Sequence, residues 1–138
     1  MPLRTQLYDY HAGHGKIVEF AGYEMPLWYS TTTEEHLAVR NSCGIFDVSH
    51  MGRFEVKGKD APRFLELLVP TRVQDQPIGK SFYTLLLNDK GGIMDDLIVM
   101  RRSESEFVVV VNAANSNDDM RHIKDHAPES VDIKDVTG

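Results

Sequence analysis

The fold is decided by residues 81–100, which read SFYTLLLNDKGGIMDDLIVM. Two apolar segments, 81–87 and 93–100, flank the polar turn NDKGG at 88–92. Glycine supplies the positive φ that a tight reversal of the chain needs, and apolar segments on both sides of such a turn are typical of paired strands. The stretch therefore predicts a β-hairpin.

Two aspartates interrupt the second strand of this hairpin. Aspartate is depleted in strands, so Asp95 and Asp96 break a local rule inside an apolar segment. The two side chains point to opposite faces, and each shares its face with three apolar residues, so we expect both faces to be covered. A carboxylate partly removed from water suits an acid, a base or a ligand anchor. Two aspartates that cap the hairpin mouth and bond turn amides would explain the pattern equally well.

The flanking sequence predicts further strands and helices. Capping-box spacing between Thr32 and Glu35, with Gly44 as terminator, predicts a helix over about 33–42. Asp60 is placed to cap a second helix. Alternation predicts strands at 52–57 and 130–134, helical spacing predicts a third helix at 117–126, and residues 107–111 are expected to add a further strand. Hairpins interleaved with about three helices predict an α+β fold with a mainly antiparallel sheet.

The composition is that of an ordinary globular protein. Of the 138 residues, 41% are hydrophobic and 26% are charged, which is enough apolar material for one packed core. No repeat, low-complexity tract or long linker interrupts the sequence. Residues 1–138 are therefore expected to form one continuous unit.

Charge and cysteine content narrow the classes of partner. The net charge of -6 leaves no clustered excess of Lys and Arg for phosphate binding, so nucleic acid is not an expected partner. The single Cys43 cannot form an internal disulfide, and no segment has the pattern of a signal peptide or a membrane span. A reducing, cytoplasmic location without membrane contact is expected.

Other local patterns are weaker candidates for chemistry. Asp118, His122 and His126 recur every four residues and could touch one metal ion, but no second cluster of ligands is present, so no metal site is expected. The GKS at 79–81 is not a phosphate-binding loop, because Gln74 occupies the position where that loop needs glycine. Cys43 has no histidine partner in the sequence and is interpreted as a packing residue.

Linked motifs run in order through nearly the whole chain: FAGYEMPL at 20–27, GIFDVSHMG at 44–52, GGIMDDLIV at 91–99 and VVNAAN at 110–115. Together they resemble the aminomethyltransferase, or T protein, of the glycine cleavage system. Several motifs in order are far more specific than any one of them. The resemblance also implies that the α+β fold is part of the folate-binding fold of that family.

The resemblance implies an activity and a set of site residues. T proteins transfer a one-carbon unit from the aminomethyl group on the lipoyl arm of the H protein to tetrahydrofolate, giving methylenetetrahydrofolate and ammonia. Asp96 matches the family's catalytic carboxylate, which lies against the reactive folate nitrogens. Met51, Tyr83, Ile98 and Asn112 match positions that line the folate pocket.

The chain departs from the family in length, because T proteins are more than twice as long and their later portion completes the folate pocket. We therefore expect a truncated portion that is incomplete and inactive alone, and whose unpaired sheet edge favours self-association. Two alternatives within the superfamily stay open. One is a folate-dependent demethylase or the folate domain of an amine-oxidising enzyme, and the other is a non-catalytic folate-binding or assembly module.

Overall fold

The computed structural model describes residues 1–138 and divides the chain into two units, Met1–His50 and Met51–Gly138. The sequence predicted one continuous unit. A boundary that carries no linker, repeat or change of composition leaves no mark in the sequence, which is why the division at His50 was not anticipated.

The first unit contains a three-stranded sheet and two helices. Its elements are β1 (Leu3–Arg4), α1 (Tyr8–His14), β2 (Lys16–Phe20), β3 (Tyr23–Trp28) and α2 (Thr32–Asn41). The strand order is β1-β3-β2, with β2 antiparallel and β1 parallel to β3. Ala21 and Gly22, with φ of 51° and 81°, make the β2–β3 turn. Of these elements, the sequence predicted only α2.

Both predicted ends of α2 were wrong in detail. The N-cap is Thr31 rather than Thr32, and its hydroxyl accepts a hydrogen bond from the amide of Glu34 at 3.2 Å. Glu35 does not close a capping box, because its carboxylate accepts the amides of Tyr29 and Ser30 at 2.6 and 2.7 Å. The helix ends at Asn41, and its C-cap residue is Ser42, with φ of −147° and ψ of −105°. Gly44 does not have a positive φ, so the helix has no left-handed glycine terminator.

The second unit contains a five-stranded antiparallel sheet and two helices. Its elements are β4 (Gly52–Lys57), α3 (Ala61–Leu68), β5 (Ser81–Leu87), β6 (Ile93–Arg101), β7 (Glu106–Val111), α4 (Ser116–Asp125) and β8 (Asp132–Asp135). The strand order is β5-β6-β7-β4-β8. The predicted hairpin is confirmed as β5–β6, and the α+β class with mainly antiparallel sheets is confirmed with four helices instead of about three.

The core of the second unit lies on one face of this sheet. Helix α3 buries residues at helical spacing, and they join the buried strand residues and Ile123 of α4 in one cluster. The buried residues of α3 are Ala61, Phe64, Leu65 and Leu68. Asp60 begins α3 as predicted, but it makes no capping bond, and its carboxylate accepts the hydroxyl of Ser130 at 2.6 Å.

The opposite face of the sheet is open, which corrects the expectation that both faces are covered. Along β6, burial alternates: Asp95, Leu97 and Val99 face the core, whereas the side chains on the other face are exposed. The exposed residues of β6 include Asp96, Ile98 and Met100. Met94, which the pattern assigned to the face of Asp96, packs against the core cluster beside the register shift at Leu86 and Leu87.

Candidate functional site

Asp96 lies on the open face of the five-stranded sheet, on the second strand from one edge. Strand β6 places it opposite Leu85 of β5. On its other side, the side-chain amide of Asn112 donates to the Asp96 carboxylate and to the Asp96 backbone carbonyl, both at 3.1 Å. The carboxylate is thus exposed to solvent and is held by a hydrogen bond from Asn112, the residue that follows β7.

Tyr83 and Ile98 form an apolar surface next to this carboxylate. Tyr83 pairs with Ile98, and Ile98 pairs with Val110, so the three side chains form a row adjacent to Asp96 on the same face. Tyr83 is 65% exposed and Ile98 is 40% exposed. Partial burial, the negative charge of Asp96 and a hydrogen bond to that carboxylate raise the pKa of Tyr83.

Met51 directly precedes β4, the strand next to β7. It immediately precedes Gly52, whose register partner in β7 is Val111, the residue before Asn112. Asp96, Tyr83 and Ile98 therefore lie on the adjacent strands β5 and β6. Asn112 directly follows β7, and Met51, which is half-buried, directly precedes β4. The structure brings all five predicted site residues to one part of one sheet.

Asp95 points away from this surface into the core. Its carboxylate accepts the backbone and side-chain amides of Asn112 at 3.2 and 2.9 Å and the side-chain amide of Asn115 at 3.0 Å. Burial alone would raise the pKa of Asp95, but these hydrogen bonds and one with Asp119 outweigh it and lower the pKa. The turn amides are instead bound by Asn88, so the aspartates do not cap the hairpin.

Asp119 is the member of this network that the sequence did not reveal. It is 1% exposed, and its pKa is raised to about 8. Burial is the largest cause, and a hydrogen bond with Asp95 and the charges of Asp95 and Asp118 add to it. The one signal in the sequence was its position four residues before Ile123, on the inward face of a helix. That spacing predicts burial but does not identify the partner.

The three possible metal ligands on α4 each contact a different partner. Asp118 pairs with Arg121 at 2.7 Å, His122 Nε2 lies 3.0 Å from the carbonyl of Leu87, and His126 Nε2 lies 3.0 Å from Asp89. No group of three or more His, Cys, Asp or Glu side chains is arranged to hold a metal ion.

The first unit holds a cavity and a polar network of its own. The cavity is about 600 Å³ in volume and is lined by residues of β3, α2 and the segment that follows it, including Trp28 and Phe46. None of the five predicted site residues lines it. In the network, the Asp47 carboxylate accepts the hydroxyl of Thr5 and the amide of Ser49, both at 2.8 Å.

Comparison with known proteins identifies the family of this chain. Residues 7–138 match the family described as the GCVT N-terminal domain. The chain belongs to this family. The matched range includes all five residues at the open face of the second unit.

This GCVT N-terminal domain is similar to proteins named aminomethyltransferase in several bacteria. It is 47% identical over 139 residues to that of Thermotoga petrophila and 42% identical over 136 residues to that of Staphylococcus epidermidis. Each comparison covers 97% of this chain and 38% of the relative. The aminomethyltransferase of Thermus thermophilus is 44% identical over 122 residues, which cover 88% of this chain and 35% of the relative.

A solved structure supports the same fold. The crystal structure of glycine cleavage system aminomethyltransferase T from Bartonella henselae superposes with a TM-score of 0.94 at 36% identity. The match covers 99% of the GCVT N-terminal domain described here and 39% of the other chain. The chain thus spans well under half the length of the relatives it matches. No helix in it is long and apolar enough to cross a membrane.

Proposed function

We propose that this chain is the tetrahydrofolate-facing portion of a glycine cleavage system aminomethyltransferase. The observation that carries the proposal is the Asp96 carboxylate, which is exposed on an open sheet face and held there by Asn112. The aminomethyltransferases among its relatives support the same assignment.

The residues on this face fit tetrahydrofolate as a co-substrate. A pterin ring is flat and carries N–H donors, so it needs an apolar or aromatic wall and a small number of acceptors. Tyr83, Ile98 and Met51 supply the wall, and Asp96 supplies the acceptor. Bound tetrahydrofolate supplies the amine nitrogens that receive the one-carbon unit.

Asp96 is the catalytic residue in this proposal. Its carboxylate holds an N–H of the folate and takes up or returns a proton at the reacting nitrogen. Asn112 keeps the carboxylate in place, and the hydroxyl of Tyr83 bonds to it. A carboxylate restrained in this way needs little reorganisation when charge develops beside it.

The one-carbon donor in this proposal is the aminomethyl group on the lipoyl arm of the H protein, and ammonia is released. A cytoplasmic location belongs to the same proposal. The names of the relatives favour aminomethyl transfer over a folate-dependent demethylase. The exposed and oriented Asp96 favours a catalytic role over a non-catalytic folate-binding or assembly module.

Calorimetry with tetrahydrofolate tests the proposal. We expect the chain to bind tetrahydrofolate and Asp96→Asn to weaken binding by about tenfold or more, because a hydrogen bond to a charged acceptor is lost. Asp132→Asn, which removes the same charge from an exposed position on β8, is the matched control and should bind as the wild type does. Failure of the folded wild-type chain to bind, or equal binding by Asp96→Asn, would refute the proposal.

A further inference from the structure

A third carboxyl group, that of Asp119, lies next to Asp95 on the core side of the sheet. Asp119 projects from α4 into the core, where only 1% of the residue is exposed, and it hydrogen bonds with Asp95. Its Oδ2 atom is buried and has no donor among the surrounding groups. Neither the site residues predicted from the sequence nor the proposed reaction accounts for this residue.

The position of the proton follows from this geometry. Asp95 already accepts three N–H groups, so it is well placed to carry the negative charge. An ionised Asp119 would add a second buried carboxylate without a donor, which is costly. A proton on Asp119 removes the repulsion and makes its carboxyl group a donor toward Asp95.

The groups that face Asp119 agree with this assignment. The charged groups that act on it are Asp95 from β6 and Asp118 on its own helix, and both are negative. The remaining members of the network, Asn112 and Asn115, are neutral amides that donate to Asp95. Burial and these negative neighbours raise the pKa of Asp119 to about 8, so the proton stays in place at neutral pH.

We propose that Asp119 is a positioning residue: its protonated carboxyl group donates a hydrogen bond to Asp95 and thereby fixes Asn112. The same Asn112 amide group bonds to the carboxylate and the backbone carbonyl of Asp96. The hydrogen bonds therefore run without a break from the core to the exposed carboxylate. The role of Asp119 in orienting Asp96 for folate rests on the proposed function, whereas the shared proton does not.

Nuclear magnetic resonance of the whole chain tests the shared proton directly. The aspartate carboxyl carbons and the asparagine side-chain amides are followed between pH 5 and pH 9.5 in the wild type and three variants. Asp119→Asn keeps a donor toward Asp95 but cannot titrate, and Asp119→Ala removes the donor. Asp132→Asn is the matched control, because it removes an exposed carboxylate on β8 that is not among the charged groups acting on Asp119.

We expect the Asp119 carboxyl carbon to titrate near pH 8, with the Asn112 side-chain amide shifting at the same midpoint. In Asp119→Asn, the Asn112 amide should stay near its wild-type position and lose this titration. In Asp119→Ala, the amide should move and exchange faster with water. A carboxyl carbon of Asp119 that titrates near pH 4, or an Asn112 amide that is unchanged in every variant, would overturn the proposal.

Tetrahydrofolate binding to the same variants separates this inference from the proposed function. We expect Asp119→Ala to weaken binding by roughly three- to tenfold and Asp119→Asn to restore most of the loss, because the amide replaces the lost donor. If the wild type binds no folate while the shared titration is seen, the proposed function fails and the proton assignment stands. If folate binds but Asp119→Ala binds as tightly as the wild type, the positioning role is refuted.

Discussion

The imidazole Nε2 of His11 lies 2.8 Å from Oδ2 of Asp47, and only 3% of either side chain is exposed. The other ring nitrogen of His11 lies 2.7 Å from the hydroxyl of Tyr29. Met25 is the one buried hydrophobic residue of the first unit, whereas Thr5 and His11 of this polar network are both buried. Removing one partner of such a buried pair lowers the free energy of unfolding, because the other group stays buried without its hydrogen bond.

Asp47→Ala should strongly destabilise the first unit. The substitution leaves the buried ring of His11, the hydroxyl of Thr5 and the amide of Ser49 without their acceptor. We expect a loss of about 3 kcal/mol in the free energy of unfolding. Trp28 is the only tryptophan and lies in this unit, so its fluorescence during urea unfolding reports the change.

The matched control for that experiment is Asp9→Ala, which removes an exposed carboxylate from α1 in the same unit. Its urea midpoint should stay close to that of the wild type. A midpoint for Asp47→Ala that is no lower than that of Asp9→Ala would contradict the structural role of the network.

The first unit should also lose stability in acid. Burial raises the pKa of Asp47, but hydrogen bonds from Ser49, His11 and Thr5 outweigh it and lower the pKa far below 3.8. The unfolded chain therefore binds a proton before the folded chain does, so this contribution is complete above about pH 5 and is lost as the pH falls through and below 3.8. Trp28 fluorescence should show a loss of stability over that range that is absent from Asp47→Asn.

Gly58→Ala should destabilise the second unit by more than an ordinary glycine replacement. Gly58 has a φ of 145°, and an added Cβ would fall against the backbone carbonyl oxygen of Ser130, with Val131 Cα 3.0 Å away. Conformational strain of about 1–2 kcal/mol is then joined by about 1–3 kcal/mol from the clash. Amide hydrogen exchange in β4 and β7 measures the effect.

Gly79→Ala is the control for strain without a clash. Gly79 also has a positive φ, of 81°, but no atom lies within 4 Å of the added Cβ. It should show the conformational cost of about 1–2 kcal/mol alone. Equal losses in the two variants would mean that the contact with Ser130 relaxes freely.

Tyr83→Phe should reduce tetrahydrofolate affinity without abolishing it. The ring that contributes to the apolar wall is kept, whereas the hydroxyl that bonds to Asp96 is removed. We expect a loss of roughly two- to fivefold by calorimetry, smaller than the loss in Asp96→Asn. Tyr23→Phe in the first unit removes a hydroxyl elsewhere and should leave the affinity unchanged.

Self-association of the chain should be concentration dependent. The five-stranded sheet ends in β5 on one side and β8 on the other. Strand β8 is short and carries charged residues, which discourage pairing, whereas β5 has seven mostly apolar residues. Sedimentation velocity should show dimers at high concentration that Leu85→Lys reduces, and a monomer at every concentration would refute this expectation.

The sequence predicted the second unit better than the first. Strand β4 alternates apolar and polar residues, β5 to β7 are mostly apolar segments, and the glycines at 91 and 92 mark the hairpin. In the first unit, α1 has seven residues, β1 has two, and β3 contains Pro26, which argues against a strand. Short elements without a periodic apolar face leave little signal.

The candidate site was predicted from linked motifs, and the sheet register places its residues on or directly beside neighbouring strands. Alternation alone states that Asp95 and Asp96 face opposite ways, but it does not state which face the helices cover. The contact between Asp95 and Asp119 joins positions 24 residues apart, and no local pattern predicts such a pairing. These features depend on tertiary packing, which local sequence patterns do not specify.

The proton on Asp119 has a consequence for the charge of the molecule. The formal net charge of -6 counts every aspartate as ionised, yet the folded chain retains one extra proton at pH 7 because the pKa of Asp119 is about 8 rather than 3.8. Unfolding at neutral pH therefore releases a proton to the solution, and raising the pH from about 4 to about 8 favours unfolding through this residue. The folded chain should migrate in an electric field as a slightly weaker anion than its composition implies.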